Sequence, residues 1–272
     1  MLMLAGEVSG DEHGASLAFA LRQRVPDLRL VGIGGPMMKT AGVELLAGLD
    51  DLAVMGIAEL LPQLPFFRRL EHKVRKVIAE SSVQLVILID YPGFNLRIAR
   101  VAKQAGKQVL YYIAPKVWAS RSHRVGLLSQ YVDRMAVILP FEEELFKNCG
   151  VQATFVGHPL LDRPNDVSDR STFCNTWGVD SGRPLLALLP GSRRQEVVRH
   201  LRTFVRAASL VAETHPDILP VLSGMPGLAP SVYTGFSPLV VGDTRALLRH
   251  ARVALVKSGT CTLEAALEGT PS

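Results

Sequence analysis

Short apolar runs alternate with segments of helical period along most of this chain. Five strand-like runs precede a polar, turn-rich stretch at 162–171 and four follow it: LRLVGIGG, QLVILID, QVLYYIAP, RMAVILP and ATFVGHP, then PLLALLPGS, ILPVLSG, PLVVGD and VALVKSG. Strands that alternate with helices form parallel sheets covered on both faces. The pattern predicts an α/β protein of two Rossmann-like domains with parallel sheets, residues 1–165 and 166–272, facing each other across a cleft.

The last residues indicate that the second domain continues. In the final segment LEGTPS, Gly269, Thr270 and Pro271 are typical of a turn between a helix and a further strand. A doubly wound domain normally extends past such a turn. We therefore expect an incomplete second domain, in a chain that is a fragment or a natural truncation of a longer protein.

Composition excludes several classes of protein. The 272 residues are 48% hydrophobic, enough for a sizeable core, yet no stretch approaches the ~18 apolar residues of a membrane span. The three cysteines lack the spacing of a zinc site or a disulfide framework, so we expect no metal and a reducing compartment. A net charge of +5 favours anionic partners, but no basic block with interleaved aromatics predicts nucleic-acid binding.

The turn after the run LLALL carries two adjacent arginines. Leu185–Leu189 is long enough for a buried strand, a Pro-Gly pair ends it, and helical period begins near Glu196. In an open α/β sheet such a turn lies where ligands bind, and the helix start offers unpaired N–H groups and a partial positive charge. Ser192 and Arg193 are therefore candidates for binding an anion.

A second turn with similar properties lies near the end of the chain. The pattern predicts a strand at Val253–Val256, a turn at Ser258, Gly259 and Thr260, and a helix from Thr262 whose first amides can bind phosphate. Glu264 is too close to that anion to hold it and is better suited to accept hydrogen bonds from a ribose. A GxxxxGK[ST] loop is absent, which disfavours ATP or GTP hydrolysis. Together the two turns predict a diphosphate site of amides and arginine, without metal or cofactor.

Two interpretations fit the segment AGEVSGDEHG near the amino terminus. Gly6 permits close approach of a ligand, whereas the carboxylates of Glu7 and Asp11 would repel phosphate. Either Asp11 lies near a helix N-terminus with a structural role, or the loop is lined by carboxylates that accept sugar hydroxyls. The second interpretation is favoured.

The segment LVILIDYPGFN places Asp90 where a buried strand ends, with Asn95 expected to cap the following helix. A carboxylate at that position can act as a general base, or it can merely accept hydrogen bonds from turn amides. The next such segment, YYIAPKVWASRSHRV, is either an aromatic and cationic wall around Trp118 for a phosphorylated or lipid substrate, or an amphipathic helix with Trp118 in the core. Spacing alone does not separate these alternatives.

Residues 52–76 combine an apolar stretch with a basic one. Hydrophobic side chains, including Phe66, Phe67 and Leu70, are interspersed with and followed by arginines and lysines. The segment is too interrupted to span a bilayer. It is either an interfacial segment with its cations on anionic headgroups, or a core-facing helix with a solvated basic side.

Nine ordered motifs across the whole chain resemble those of lipid-A-disaccharide synthase, a family of bacterial glycosyltransferases with the two-Rossmann-domain architecture called GT-B. They are AGEVSGD, GIGGPMM, LAVMGIAE, IDYPGFN, APKVWA, LPFEEELF, VGHP, LPGSRRQEV and SGTCTLE. The family continues beyond position 272, in agreement with the truncation expected above. One departure is Ser120, where the family often has a second aromatic residue.

The resemblance implies transfer of a diacylglucosamine unit from UDP-2,3-diacylglucosamine to the 6-hydroxyl of 2,3-diacylglucosamine 1-phosphate, with inversion to a β-1,6 bond and release of UDP. It implies a cytoplasmic protein, peripheral on the anionic inner face of the bacterial inner membrane, which favours the interfacial interpretation of residues 52–76. It leaves open a homodimer of the full-length protein. The residues carried over are Asp90 and Glu7 for catalysis; Arg193, Ser192, Ser258, Gly259, Thr260 and Glu264 for the donor; and Gly6, Ser9, Asn95 and Trp118 for the acceptor.

Two other functions stay open. One is a UDP-sugar 2-epimerase-like enzyme, whose substrates are soluble sugars and need no lipid or detergent. The other is a truncated, non-catalytic chain that binds UDP-sugar or membrane without turnover.

Overall fold

The structure is a computed structural model, and it describes residues 1–49, 64–115, 124–162, 166–233 and 236–272. These residues divide into two compact units, Met1–Asp162 and Arg163–Ser272. The division falls within the turn-rich stretch 162–171. Each unit has its own parallel sheet and its own hydrophobic core.

The first unit is built on a seven-stranded parallel sheet with strand order β3-β2-β1-β4-β5-β6-β7. Its elements, in chain order, are β1 (Leu2–Ala5), α1 (Val8–Arg24), β2 (Val31–Gly34), α2 (Pro36–Thr40), β3 (Glu44–Gly48), α3 (Leu64–Ala79), β4 (Leu85–Ile89), α4 (Pro92–Gln104), β5 (Gln108–Tyr112), α5 (Arg124–Tyr131), β6 (Arg134–Val137), α6 (Pro140–Asn148), β7 (Ala153–Phe155) and a 3₁₀ turn at Pro159–Asp162. The apolar pattern does not predict β3, because this edge strand is only half-buried and begins with an exposed glutamate.

The second unit has a four-stranded parallel sheet with strand order β10-β9-β8-β11. Its elements are α7 (Arg170–Trp177), β8 (Leu185–Leu189), α8 (Arg194–Thr214), β9 (Leu219–Gly224), a 3₁₀ turn at Pro230–Tyr233, β10 (Leu239–Val241), α9 (Thr244–His250), β11 (Ala251–Val256) and α10 (Thr260–Leu267). The predicted α/β class with a parallel sheet in each domain is confirmed.

The central strands are apolar throughout because helices cover both faces of each sheet. Every residue of β1 and of β8 is buried. In the first unit, one core cluster contains Leu4 and Leu88 and the cluster on the other face contains Met3 and Ile87. Alternate residues of one strand thus pack against different helix layers.

In both sheets the strand order reverses at a switch point, next to the first strand of the unit. In the first unit β1 lies between β2 and β4, with Ala5 opposite Ile89 at the carboxyl end. In the second unit β8 lies between β9 and β11, with Leu189 opposite Val256. Open α/β sheets bind ligands at these points, because the loops from the two strands diverge to opposite faces and leave a crevice.

Helix α3 corrects part of the interfacial interpretation of residues 52–76. Leu70 is buried in the core together with Val74 and Ile78, and the rings of Phe66 and Phe67 are half-buried against the same cluster. This face of α3 therefore packs on the sheet and is not open to lipid. The residues 50–63 of that prediction lie outside the described ones, and none of the helices in the described ranges is long and apolar enough to cross a bilayer.

Candidate active site

The switch point of the first unit brings together two of the predicted sequence motifs. Gly6 and Glu7 follow β1, and Asp90 and Tyr91 follow β4. Because β1 and β4 are paired in register up to Ala5 and Ile89, these four residues begin at neighbouring positions on the same edge of the sheet. The sequence predicted each turn separately, and the strand order makes them neighbours.

Asp90 and Tyr91 both have left-handed backbones, with φ of 44° and 46°. Such a conformation costs a non-glycine residue about 1–3 kcal/mol and persists only where the surroundings enforce it. Three hydrogen bonds do so at Asp90. Its N–H donates to the Tyr112 carbonyl at 3.3 Å, and its own carbonyl accepts from Tyr111 Oη at 2.7 Å and from Asn95 Nδ2 at 2.8 Å. The half-buried Asp90 is thus held in one fixed backbone geometry.

Asn95 does not cap helix α4, so that prediction is wrong. The helix begins at Pro92, and Tyr91 occupies the N-cap position with a left-handed backbone. Asn95 lies one turn inside the helix and is 1% exposed. Its amide donates to the carbonyl oxygens of Leu4, Ile89 and Asp90, which ties β1, β4 and the turn together. Asn95 resembled a cap because it is a short polar residue that follows Pro92 and Gly93. Proline is favoured at the first helical position, however, and the helix begins at Pro92.

The ring of Tyr91 covers Gly6. A Cβ on Gly6 would lie 2.3 Å from two of the ring carbons, so the residue at this position must lack a side chain. Burial raises the pKa of the Tyr91 phenol, and the nearby negative charge of Glu7 raises it further. Glu7 itself precedes the first turn of α1 as its N-cap residue. The packing of Tyr91 therefore explains why glycine is required at position 6, a structural role that the sequence did not suggest.

Asp11 is not a binding carboxylate. It is 2% exposed, and its Oδ1 accepts from the N–H groups of Gly35 and Met38 at 2.7 and 2.9 Å. Its Oδ2 accepts from Met37 N at 3.0 Å. The carboxylate thereby satisfies the amino end of α2, a neighbouring element on the sheet. Of the two candidates Glu7 and Asp11, only Glu7 therefore remains a candidate for sugar hydroxyls.

A third left-handed residue lies at the end of the next strand. Ile113 follows β5 with φ of 64° and is 8% exposed, and its N–H donates to the Ala136 carbonyl at 3.0 Å. A β-branched residue in this conformation is a true outlier. The segment that follows Ile113 contains Trp118, which lies outside the described residues along with the rest of 116–123.

Ser9, another residue predicted to bind the acceptor, is half-buried in the first turn of α1.

The switch point of the second unit brings together the two predicted anion-binding turns. Helix α8 begins at Arg194, two residues before the predicted start near Glu196, with Arg193 as its N-cap residue. Helix α10 likewise begins at Thr260 rather than at the predicted Thr262. Lys257 N donates to the Leu189 carbonyl at 2.9 Å, so the two turns start side by side. Ser192, Arg193, Ser258, Gly259 and Thr260 are exposed, and Glu264 is half-buried one turn into α10.

Glu196 lies between these turns, and sequence reasoning did not assign it a role. Its Oε2 accepts from Ser192 N at 3.1 Å, and its Oε1 accepts from Lys257 Nζ at 2.9 Å and lies 3.7 Å from Arg193 Nη1. Burial opposes ionisation of Glu196, but these donors outweigh it and hold its pKa below the ordinary value. An acidic residue in the first turn of a helix is itself a sequence signal for such capping.

The same contacts refine the expectation for Ser192. Its N–H already donates to Glu196, so any contact between Ser192 and an anion involves the hydroxyl rather than this amide. Near the other turn, burial and the neighbouring Glu264 raise the pKa of the Cys261 thiol to about 11. That thiol stays protonated near neutral pH and is not a reactive nucleophile.

The two switch points differ in charge and therefore in chemistry. The first has the carboxylates of Glu7 and Asp90 on two adjacent turns, of which the Asp90 turn is held by hydrogen bonds, and this suits acceptance of hydroxyl protons. The second presents Arg193, Lys257 and two helix N-termini, which suits a negatively charged group such as a diphosphate.

Comparison with known proteins identifies the family. The sequence model of the family described as Lipid-A-disaccharide synthetase matches residues 1–272. The chain belongs to the lipid-A-disaccharide synthase family. Members of this family are glycosyltransferases of lipid A biosynthesis.

Individual relatives agree with this assignment. The lipid-A-disaccharide synthase of Syntrophus aciditrophicus is 44% identical over 282 residues, covering 100% of this chain and 73% of that protein. The Coxiella burnetii enzyme is 39% identical over 280 residues, with the same coverage of 100% and 73%.

Solved structures show the fold alone, since their sequences have diverged further. A UDP-GlcNAc 2-epimerase from Neisseria meningitidis has a TM-score of 0.68 at 10% identity and covers 99% of this chain and 81% of its own. The calicheamicin glycosyltransferase CalG4 has a TM-score of 0.58 at 19% identity, covering 99% and 77%. Glycosyltransferases and epimerases therefore share this architecture, and the fold does not separate the two reactions.

Proposed function

We propose that this chain transfers a diacylglucosamine unit from UDP-2,3-diacylglucosamine to the 6-hydroxyl of 2,3-diacylglucosamine 1-phosphate. The reaction inverts the anomeric carbon, forms a β-1,6 bond and releases UDP. The observation that carries the proposal is the position of Asp90 in a chain of this family. Asp90 has a strained backbone conformation and lies at a switch point of the sheet. Open α/β sheets generally bind ligands at such points.

The second unit is proposed to bind the donor. Arg193 lies at the start of α8 and neutralises the diphosphate as charge develops on the leaving UDP. Gly259 and Thr260 contribute amides at the start of α10, and the hydroxyls of Ser192 and Ser258 flank the same site. Glu264, one turn into α10, accepts hydrogen bonds from the ribose hydroxyls.

The first unit is proposed to bind the acceptor and activate it. Asp90 accepts the proton of the 6-hydroxyl while the transferred sugar passes through an oxocarbenium-like state. Glu7, on the neighbouring strand end, orients the acceptor through its hydroxyls. Gly6 and Ser9 shape this edge, and Trp118 is assigned to the acceptor from the resemblance alone. Asn95 is proposed to act indirectly. Its side-chain amide is buried and donates to the Asp90 carbonyl, so it holds the Asp90 backbone and does not contact the acceptor.

We also propose peripheral association with anionic membrane, through the basic side of α3. The apolar side of this helix packs on the core, whereas Arg68, Arg69 and Lys73 are exposed on the other side. Each cation close to an anionic surface contributes about 1 kcal/mol. The proposed membrane contact is therefore electrostatic, and the apolar side chains of α3, including Phe66 and Phe67, do not enter the lipid.

A turnover assay tests the reaction. The chain is incubated in detergent with both diacylated substrates, and we expect UDP and a disaccharide 1-phosphate whose new linkage is β by NMR coupling. The Syntrophus aciditrophicus enzyme is the positive control. Conversion of UDP-GlcNAc to its C2 epimer would favour the epimerase alternative, and UDP binding without either product would favour the non-catalytic one.

A further inference from the structure

Glu196 presents an electrostatic problem at the proposed donor site. Its carboxylate is ionised and contacts both turns proposed to hold the diphosphate. A negative charge beside a bound diphosphate lowers affinity through Coulomb repulsion. If Glu196 supports diphosphate binding, its contacts must stabilise the site by more than this repulsion costs.

The contacts of Glu196 supply such a contribution. Oε2 accepts from the Ser192 N–H at 3.1 Å and so fixes the peptide that precedes Arg193. Oε1 accepts from Lys257 Nζ at 2.9 Å and so ties the turn after β11 to the turn after β8. One side chain, 19% exposed, bridges both turns.

The backbone of Gly191 is shaped around the same carboxylate. Gly191 has φ of 142°, and a Cβ there would lie 2.6 Å from Glu196 Cβ and 2.8 Å from Glu196 Oε2. Only glycine therefore allows the turn to close on Glu196. The turn and the carboxylate therefore pack together as one unit.

We propose that Glu196 is the positioning residue of the donor site, holding the Ser192–Arg193 turn and the Lys257–Ser258 turn in the arrangement that binds a nucleoside diphosphate. This inference rests on the proposed donor site. It gives Lys257 a defined part, because the Lys257 ammonium is the second anchor of the bridge. It also predicts that removing the Glu196 side chain weakens UDP binding, whereas charge repulsion alone predicts that binding becomes tighter.

Three substitutions at one position separate positioning from charge. Repulsion alone predicts that Glu196→Ala binds UDP more tightly and that Glu196→Asp, which keeps the charge, binds it equally well. Positioning predicts that both bind UDP about tenfold more weakly, because neither side chain spans the two turns. Glu196→Gln keeps the length and one acceptor oxygen, but its Nε2 donates and cannot accept from the second donor. One of the two anchors is lost, so we expect its UDP affinity to lie between those of wild type and Glu196→Ala, whereas repulsion alone predicts tighter binding than wild type.

The measurement is calorimetric titration of each variant with UDP, alongside its thermal unfolding midpoint. Glu213→Ala, an exposed glutamate near the other end of α8, is the matched control and should bind UDP as wild type does. Undiminished affinity in Glu196→Ala or Glu196→Asp overturns the inference while leaving the donor site intact, as does a Glu196→Gln variant that binds UDP more tightly than wild type does. Failure of the wild-type chain to bind UDP overturns the inference and the donor-site assignment together.

Discussion

Tyr91 lies so close over Gly6 that a methyl group on Gly6 would stand 2.3 Å from the ring carbon Cγ. The ring cannot move away cheaply, because Tyr91 follows Asp90 in a left-handed pair that hydrogen bonds hold in place. The glycine, the tyrosine and the proposed base are thus mechanically linked across the β1–β4 switch point.

Gly6→Ala is therefore expected to displace Tyr91 and, with it, Asp90. We expect the free energy of unfolding to fall by about 1–3 kcal/mol, the usual cost of overpacking, and turnover to fall as well. Urea denaturation and the turnover assay measure the two effects. Gly93→Ala is the control, since a Cβ there meets no atom within 4 Å. A Gly6→Ala variant indistinguishable from Gly93→Ala would contradict the linkage.

Asp90→Asn is expected to lower turnover by about 10²–10⁴, the span of a lost general base. Asparagine tolerates the left-handed backbone as well as aspartate does, so the fold should persist. UDP affinity should be unchanged, because the donor is assigned to the other unit. Asp27→Asn, at an exposed position after α1, is the control. Wild-type turnover in Asp90→Asn would leave Asp90 only a structural role.

Arg193→Ala is expected to weaken UDP binding more than Arg194→Ala does. Arg193 is the N-cap residue beside the turn, whereas Arg194 is the first exposed residue of the helix itself. A charge-assisted bond to phosphate is worth about 1.5–3 kcal/mol, so the difference should be tenfold or more in Kd. Titration with UDP measures it, and equal, small effects of the two substitutions would refute the assignment.

Neutralising the basic side of α3 is expected to reduce membrane association without loss of stability. The triple variant Arg68→Gln, Arg69→Gln and Lys73→Gln should bind anionic vesicles at least tenfold more weakly at low salt. A variant with the same charge change on α8, Arg199→Gln, Arg202→Gln and Arg206→Gln, is the control. Vesicle sedimentation and thermal unfolding provide the two readouts. Equal loss in both variants would mean that net charge alone governs binding.

Glu268 is expected to make stability depend on pH. Its carboxylate, 4% exposed, accepts from Arg245 Nε and from Arg249 Nε. Burial opposes ionisation, but these pairs outweigh it and hold the pKa of Glu268 below its ordinary value. A depressed pKa means that the stabilisation is complete above the unfolded value and is lost as the pH falls through the folded one.

Glu268→Gln should therefore lower the free energy of unfolding by about 2 kcal/mol or more near neutral pH, and the difference from wild type should shrink as the pH falls into the acid range. Thermal melts across this range measure it. A difference that does not change with pH would contradict the assignment.

Much of this protein follows from its sequence alone. Continuous apolar runs such as LVILI and LLALL predict buried parallel strands, and glycine and proline mark where they end. The turns with Asp90 and Arg193 could be predicted as candidate sites, because a polar residue directly after a buried strand lies at the edge where α/β proteins bind ligands. These inferences need only local pattern.

Tertiary structure decided which turns meet and which polar groups are already engaged. Strand order, a long-range property, placed Gly6 beside Tyr91 and the turn after β8 beside the turn after β11. It also buried Asn95 and Asp11, which local pattern presented as a cap and as a ligand for hydroxyls. Hydrogen bonds between distant segments satisfy those side chains, and a linear sequence does not show which partner a buried polar group will find.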